Sequence, residues 1–410
     1  MSWLLLYLGP PLFLILGYLL GLWHAKNPRG LVDLLKCWPC NLLPWQRTLP
    51  AHLHRARFVQ PTQLADTEED VISHLMQALH LSSDTLDAHL AFANLFRQRG
   101  DSAKAIRLHQ NLCGRSGLNA YDQQKIYLEL ARDYQAAGLL DRAEHLLLDL
   151  VKSPHADLRR QSRILLTKIY EQEREWHKAI QTLSPYMLRD HYRFRRACSH
   201  YYCELAAYAT RQQDTQAAYA YLQQAQQQDE ANIRIYWMRG ELQLAQAQYT
   251  AALASLQSIQ TYQAPFLPLT FAMQQAAYQA LDAWPQWQDY LETCLRDYQW
   301  SSAALYLAQA YRQQKGAHAA LQVLKHFFVR DPQLNLALHL LEWHQLEQQE
   351  FPHLPQKIDR QVSEAFYTLL LELQNKMPAF LCQNCGFSGH TLYWQCPKCQ
   401  HWGTYQPQHQ

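Results

Sequence analysis

The chain has 410 residues, with 37 Lys and Arg against 35 Asp and Glu, for a net charge of +2. That balance gives no reason to expect nucleic acid as a partner. At 48% hydrophobic and 18% charged residues the composition excludes a disordered chain; 13 glycines and no long alternating Val/Ile/Thr runs favour an all-α body.

From Trp3 to Trp23 there are 21 residues without a charge. A helix of that length covers about 31 Å, enough to cross the hydrocarbon core. No Lys or Arg precedes it. Lys26, Arg29, Lys36, Arg47, Arg55 and Arg57 follow it, against the single acid Asp33. The positive-inside rule then places the N-terminus outside and the rest of the chain in the cytoplasm. A cleaved signal peptide would need a basic start and a small-residue cleavage site, and neither is evident. Residues 1–25 are therefore read as a single transmembrane helix, kinked at Gly9-Pro10-Pro11.

Residues 26–65 form a Pro-rich juxtamembrane linker, with Pro28, Pro39, Pro44, Pro50 and Pro61. Cys37-Trp-Pro-Cys40 has the spacing of a redox pair, but such pairs belong in a βαβ setting that is missing here. The pair reads more simply as two cysteines near the membrane surface.

Residues 66–376 repeat themselves. Phe92-Ala93…Phe96…Gly100…Ala105 is followed by Leu130-Ala131…Tyr134…Gly138…Ala143, then by Leu166-Thr167…Tyr170…Ala179. Weaker copies follow, and Ala308…Tyr311…Ala320 is the last clear one. The marker positions are Ala105, Ala143, Ala179, Ala218, Ala252, Trp287 and Ala320, spaced 38, 36, 39, 34, 35 and 33 apart. A period near 34 with small residues and aromatics at fixed offsets is that of tetratricopeptide repeats, which are paired helices stacked into a solenoid. A helix around Val71 to Leu81 would cap one end. Helices near Leu334 to Leu346 and Val362 to Leu373 would close the other.

Such an array carries no built-in chemistry and binds protein segments on the face lined by its first helices. Asn94, Arg97, Arg132 and Gln135 fall on that face and form the candidate docking surface, although each alone reads as an ordinary solvated residue. No H-E-x-x-H, G-x-S-x-G, Walker or dinucleotide signature is present, so an enzyme is not expected. Most of the 20 histidines stand singly in helices, as His109, His145 and His339 do, and read as surface or satisfied core groups. Cys113, Cys198, Cys203 and Cys294 are scattered single thiols, which fits a reducing compartment.

The chain closes with Cys382-Gln-Asn-Cys385 and Cys396-Pro-Lys-Cys399. Two such knuckles enclose one tetrahedral metal ion, and four thiolates suit either Zn or Fe. All four positions being filled, the site reads as structural, within a domain at 378–405. A unit this small folds only with its metal. Gly386 permits the tight turn behind the first knuckle. Gln400 stands in the equivalent place of the second, which calls for a strained turn or another route. Tyr393, Trp394 and Trp402 are expected to form the mini-core and the contact with the last helices. Because the knuckles follow directly on Met377-Pro378, the domain is expected to sit at the C-terminal end of the array.

Anchor, repeats and terminal knuckles in this order resemble the lipopolysaccharide assembly protein B family. The strings that carry the likeness include Asp87-Ala-His-Leu…Asn94-Leu-Phe-Arg97…Arg99-Gly100, Ala105-Ile-Arg-Leu-His109, Arg132-Asp-Tyr134 and Tyr202-Cys-Glu-Leu-Ala206. Cys385-Gly-Phe…His390-Thr-Leu-Tyr-Trp394-Gln-Cys396-Pro…Cys399 is the most specific. The Pro-rich linker departs from the short polar link expected of the family.

The resemblance implies a solenoid with a rubredoxin-like four-cysteine ribbon, its metal held by Cys382, Cys385, Cys396 and Cys399. It also implies a non-enzymatic adaptor at the bacterial inner membrane, with a periplasmic N-terminus and a cytoplasmic body. In that role the protein promotes degradation of the deacetylase LpxC by the membrane-anchored protease FtsH, and meets other lipopolysaccharide assembly proteins. Two alternatives remain at this level: a scaffold for lipopolysaccharide synthesis and transport enzymes with no proteolytic link, and a rubredoxin-type electron carrier on a repeat scaffold. The sequence leaves a homo-oligomer open.

Overall fold

The computed structural model describes residues 83–115, 117–350 and 360–408. The expected anchor at 1–25, the linker at 26–65 and the cap helix around Val71 to Leu81 lie outside those residues. Among the described residues no helix is long and apolar enough to cross a membrane.

Helices run in antiparallel pairs: α1 (Ser83–Gln98) with α2 (Ser102–Cys113), α3 (Ala120–Ala136) with α4 (Leu140–Leu150), and α5 (Ala156–Glu173) with α6 (Trp176–Thr182). A short α7 (Pro185–Asp190) precedes the fourth pair, α8 (Tyr192–Arg211) with α9 (Thr215–Gln228). Then come α10 (Ile233–Ala245) with α11 (Tyr249–Gln257), an insertion of α12 (Ile259–Gln263) and a 3-10 helix (Ala264–Thr270), α13 (Phe271–Ala280) with α14 (Trp284–Tyr298), and α15 (Ser301–Lys315) with α16 (Ala317–Arg330). α17 (Leu334–Glu350) and α18 (Arg360–Lys376) end the helical body, at the two places expected. First helices lie against first helices, α1 on α3, α3 on α5 and α8 on α10.

The same turn closes six of the pairs. Gly100, Gly138, Arg174, Gln213, Ala247 and Asp282 all have φ between 50° and 86°. Each donates its N–H three residues back, as from Gly100 to Arg97 and Ala247 to Leu244. The next residue donates five back, as from Asp101 to Phe96 and Gln248 to Gln243. This is the paired hydrogen-bond pattern that ends a helix on a left-handed residue. Five residues after each such turn stands a marker position, from Ala105 to Trp287. All seven markers, Ala320 included, are fully buried. The small side chain lets the second helix close on the first. In the sixth pair Trp287 fills that slot, ringed by Phe271, Tyr278, Tyr290 and Tyr306.

Two hydrophobic cores meet within α8. Phe194, Ala197, Cys198 and Tyr201 belong with the N-terminal pairs, while Cys203, Ala206 and Ala209 belong with the C-terminal ones. After α18 the chain forms a small antiparallel sheet ordered β2-β1-β3, with β1 (Phe380–Cys382), β2 (Ser388–Gly389) and β3 (Tyr405–Pro407). Cys382 pairs with Tyr405 and Leu381 with Ser388, which fixes the ribbon register.

Four of the six turns hold a non-glycine residue in the left-handed region, where a Cβ costs roughly 1 kcal/mol. Ala247 is exposed, so its methyl contributes little burial. Ala247→Gly is therefore expected to raise stability by about 1 kcal/mol. Urea denaturation of both proteins checks this; a lower midpoint for the variant would contradict the turn geometry.

Candidate metal centre and its seat on the repeats

The four cysteine sulfurs converge, all within 4.8 Å of one another. Cys382 and Cys399 are 3.7 Å apart, as are Cys385 and Cys396. A tetrahedron with metal–sulfur bonds of about 2.3 Å has edges of about 3.8 Å, so the residues present fit one thiolate-bound ion. Each knuckle folds the same way. Gly386 N–H donates to the Cys382 carbonyl and Gln400 N–H to the Cys396 carbonyl, each at 2.9 Å. Gly386 has φ +70°, and Gln400 adopts φ +58° despite its side chain. The strained alternative for the second knuckle is thus the one found.

The thiols differ in acidity. Burial alone would raise Cys382, but hydrogen bonds from the Thr404 hydroxyl and the Asn384 and Cys385 amides outweigh it and bring it to about 6. Burial pushes Cys396 up to about 12, against the Lys398 and Cys399 amides aimed at its sulfur. A metal cation held by the four sulfurs would supply the positive charge that lets both ionise together. The other thiols are not so placed: burial lifts Cys198 and Cys203 to about 12, as expected of inert core groups. His401 is no ligand; its Nδ1 lies 2.9 Å from the Cys399 carbonyl oxygen.

The ribbon's own core is Phe380, Phe387 and Tyr405 around the buried cysteines. Phe380 stacks on Tyr405 at 5.7 Å, and Tyr393 flanks the same ring while remaining 42% exposed. Trp394 and Trp402 point the other way, out of the ribbon and into the repeats. Here the expectation from sequence fails. These two tryptophans are not the mini-core, and they do not meet the last helices.

Trp402 lies buried against α5, α6 and α8. Its indole N–H donates to Glu171 Oε1 at 2.7 Å, and the Tyr201 hydroxyl donates to the same oxygen at 2.6 Å. Its ring stacks on His200 at 5.1 Å and meets Trp176 and Tyr201 edge-on. Trp394 stacks on Phe266 at 6.2 Å, meets Trp237 edge-on, and lies under the Arg234 guanidinium at 5.6 Å. Arg234 is itself paired with Glu204 at 2.8 Å. Phe266 is presented by the 3-10 helix, where Pro265 and Pro268 remove N–H donors and prevent a regular α-helix.

Between the tryptophans Gly403, with φ +62°, brings ribbon backbone onto α8. A Cβ there would stand 3.1 Å from His200 Nε2 and 3.2 Å from Arg196 Cδ. Burial, with Arg234 and Arg196 nearby, holds the His200 imidazole neutral, well below its usual value. Trp402 joins the N-terminal core, and Trp394 touches both cores. The ribbon therefore sits on the first-helix face over the junction of the two cores, in the middle of the array rather than at its end. The physical reason is that two exposed indoles need a large apolar seat with a hydrogen-bond acceptor. α18, at 17 residues or about 25 Å, carries the chain away from the array's end.

The candidate docking residues lie on the same face, toward its N-terminal end. Arg97 donates to Asp133 Oδ1 at 2.6 Å and Glu129 Oε2 at 2.8 Å. Arg132 donates to Glu129 Oε1 and Gln161 Oε1, both at 2.7 Å. Both guanidiniums thus knit α1, α3 and α5 together. Asn94 and Gln135 are half-buried beside them. His109, buried, pairs through Nδ1 with Asp133, while its Nε2 has no hydrogen-bond partner among the described residues. Glu171, His200 and Arg234 were not singled out from sequence, because Glu171 and Trp402 are 231 residues apart. The only local hint was two tryptophans too large for so small a ribbon.

Together these features define a class of protein, a tetratricopeptide-type scaffold with a metal ribbon seated on its first-helix face. Residues 380–407 match the family described as "Rubredoxin metal binding domain". The Escherichia coli protein named "Lipopolysaccharide assembly protein B" is 30% identical over 348 residues, covering 84% of this chain and 86% of that one. Its namesake in Haemophilus influenzae is 23% identical over 355 residues, covering 85% and 84%. The chain belongs to the lipopolysaccharide assembly protein B family. Among solved structures, part of a TPR repeat-containing protein from Cytophaga hutchinsonii gives a TM-score of 0.37 at 17% identity, over 59% of this chain and 95% of that one. A tetratricopeptide repeat protein from Parabacteroides merdae gives 0.33 at 10% identity, over 70% and 100%. Relatives named as assembly proteins and a body built as a repeat scaffold agree with the non-enzymatic role expected from sequence.

Glu171 is the hinge of the seat. Burial raises its carboxyl above the ordinary 4.5, against the opposing hydrogen bonds from Tyr201 and Trp402. A raised folded-state value means stability is fully present below 4.5 and declines as pH climbs through the folded value. Glu171→Gln keeps an acceptor and cannot ionise, so it should hold the ribbon and lack this pH slope. Glu171→Ala orphans two buried donors and should cost about 1–3 kcal/mol. Chemical denaturation between pH 4 and 8 checks both; equal losses for Gln and Ala would contradict the assigned contact.

Proposed function

We propose that this chain is a membrane-tethered adaptor in lipopolysaccharide assembly that promotes degradation of the deacetylase LpxC by the protease FtsH. The observation that carries the reading is family membership across 84% of the chain, anchored by the four-cysteine ribbon. The charge-free segment from Trp3 to Trp23, with cations on its C-terminal side, supports an inner-membrane anchor with a periplasmic N-terminus and a cytoplasmic body. Tethering confines the repeats to a surface layer and raises their effective concentration toward a membrane protease. The repeats and the ribbon supply the protein contacts, and the metal, Zn or Fe, acts by holding the ribbon's shape.

The test is the half-life of the deacetylase in a strain lacking this protein. Loss should lengthen the half-life several-fold, and the full chain should restore it. A chain of residues 26–410, still folded, should not. An unchanged half-life on loss would refute the proteolytic link and leave the scaffold and electron-carrier readings. Full restoration by 26–410 would refute the tether.

A further inference from the structure

Between residues 156 and 196 the chain carries ten Lys and Arg against five Asp and Glu, a larger positive excess than the +2 of the whole protein. Part of this excess gathers in a cleft of about 590 Å³, open to solvent, where Arg159, Arg160 and Arg163 of α5 face Tyr186, Met187 and His191. The three guanidiniums are fixed in place by neutral acceptors. Arg159 Nη1 donates to the Ser153 and Pro154 carbonyls at 2.7 Å each, and Arg163 Nη1 to the Thr182 carbonyl at 2.9 Å. Arg160 Nη2 lies 2.6 Å from His191 Nε2. Among the described residues no carboxylate forms an ion pair with any of them, whereas on the same stack Arg97 pairs with Glu129 and Asp133, and Arg132 with Glu129. Asp157, the nearest acid in sequence, is held instead by the Tyr121 hydroxyl at 2.9 Å.

Three like charges in a cleft repel one another where no described carboxylate pairs with them, and the low-dielectric walls concentrate their field. Each guanidinium presents five N–H donors, of which the bonds above use only one or two. Residues 160 and 163, and 159 and 163, are neighbours on one helix face, with Cβ atoms about 5–6 Å apart. That is a row of forks rather than a point of convergence, and it suits several carboxylates along a chain better than one compact phosphate. Beside the row Tyr186 is 69% exposed with the Arg189 guanidinium 5.0 Å over its ring. The cleft therefore pairs a basic wall with an apolar rim.

We propose that this cleft docks an acidic segment of a partner protein, with successive carboxylates on Arg160 and Arg163 and an aliphatic or aromatic side chain against Tyr186. The site is separate from the ribbon seat, and it stands or falls independently of the lipopolysaccharide reading.

The test is fluorescence anisotropy on the full chain in detergent. The probe is a labelled twelve-residue peptide carrying four Glu or Asp with one Leu and one Phe, beside its Gln/Asn counterpart. The acidic peptide should bind saturably and at least tenfold tighter than the neutral one. Arg160 is exposed, so Arg160→Glu should leave the fold intact by circular dichroism and weaken binding at least tenfold. Arg160→Lys, which keeps the charge and loses the fork, should fall between. Lys325→Glu, an exposed reversal outside the cleft, should change binding less than twofold. Equal binding of the two peptides, an equal effect of Lys325→Glu, or no effect of Arg160→Glu would overturn the proposal. So would capture of phosphatidylglycerol vesicles or inorganic phosphate, sensitive to Arg160→Glu, with no peptide binding.

Discussion

The hydrogen bond from the Trp402 indole to Glu171 joins a metal-folded ribbon to a helical stack. It is buried, and it shares its acceptor with Tyr201 of α8. A Trp side chain so enclosed typically contributes about 3–5 kcal/mol. Its placement depends on the knuckle geometry, and the knuckles depend on four sulfurs being held by one ion. The metal thus acts at a distance of two steps, by shaping the ribbon that aims Trp394 and Trp402.

That seat falls where the solenoid most needs it. In a repeat array each unit touches only its neighbours, so a weak interface anywhere divides the stack. The boundary between the two cores lies within α8, between Tyr201 and Cys203. The ribbon spans it, with Trp402 in one core and Trp394 against both. It also covers the middle of the first-helix face, which such arrays offer to partner segments. The face beyond it is closed toward α1 by the Arg97, Glu129 and Arg132 network. Along α5, Arg159, Arg160 and Arg163 bond to neutral acceptors, and among the described residues none of them pairs with a carboxylate.

Much of this was readable from the chain itself. Each marker from Ala105 to Ala320 is a fully buried contact, and the knuckle cysteines converge as their spacing predicted. The repeats that looked weak did so in part because Gln213, Ala247 and Asp282 hold a left-handed turn in which glycine is the usual signal; Arg174 holds the same turn in a clear copy. Helix packing imposes the turn there, and propensity yields. The ribbon's location was not legible. Adjacency to Met377 pointed to the array's end, whereas the contact that decides is between residues 171 and 402 and leaves no local pattern. The Arg159 to Arg163 run was visible as letters. That no described carboxylate pairs with it could be seen only once the neighbouring helices were in place.

Whether the ribbon clamps the junction of the two cores is decided by hydrogen exchange on the metal-loaded full chain and its Trp402→Ala variant. The variant should keep one metal per chain, and amides of α8 and of the 3-10 helix at 264–270 should exchange about tenfold faster or more, with α3 and α4 unchanged. Faster exchange confined to α17 and α18, or no change at α8, would contradict the clamp.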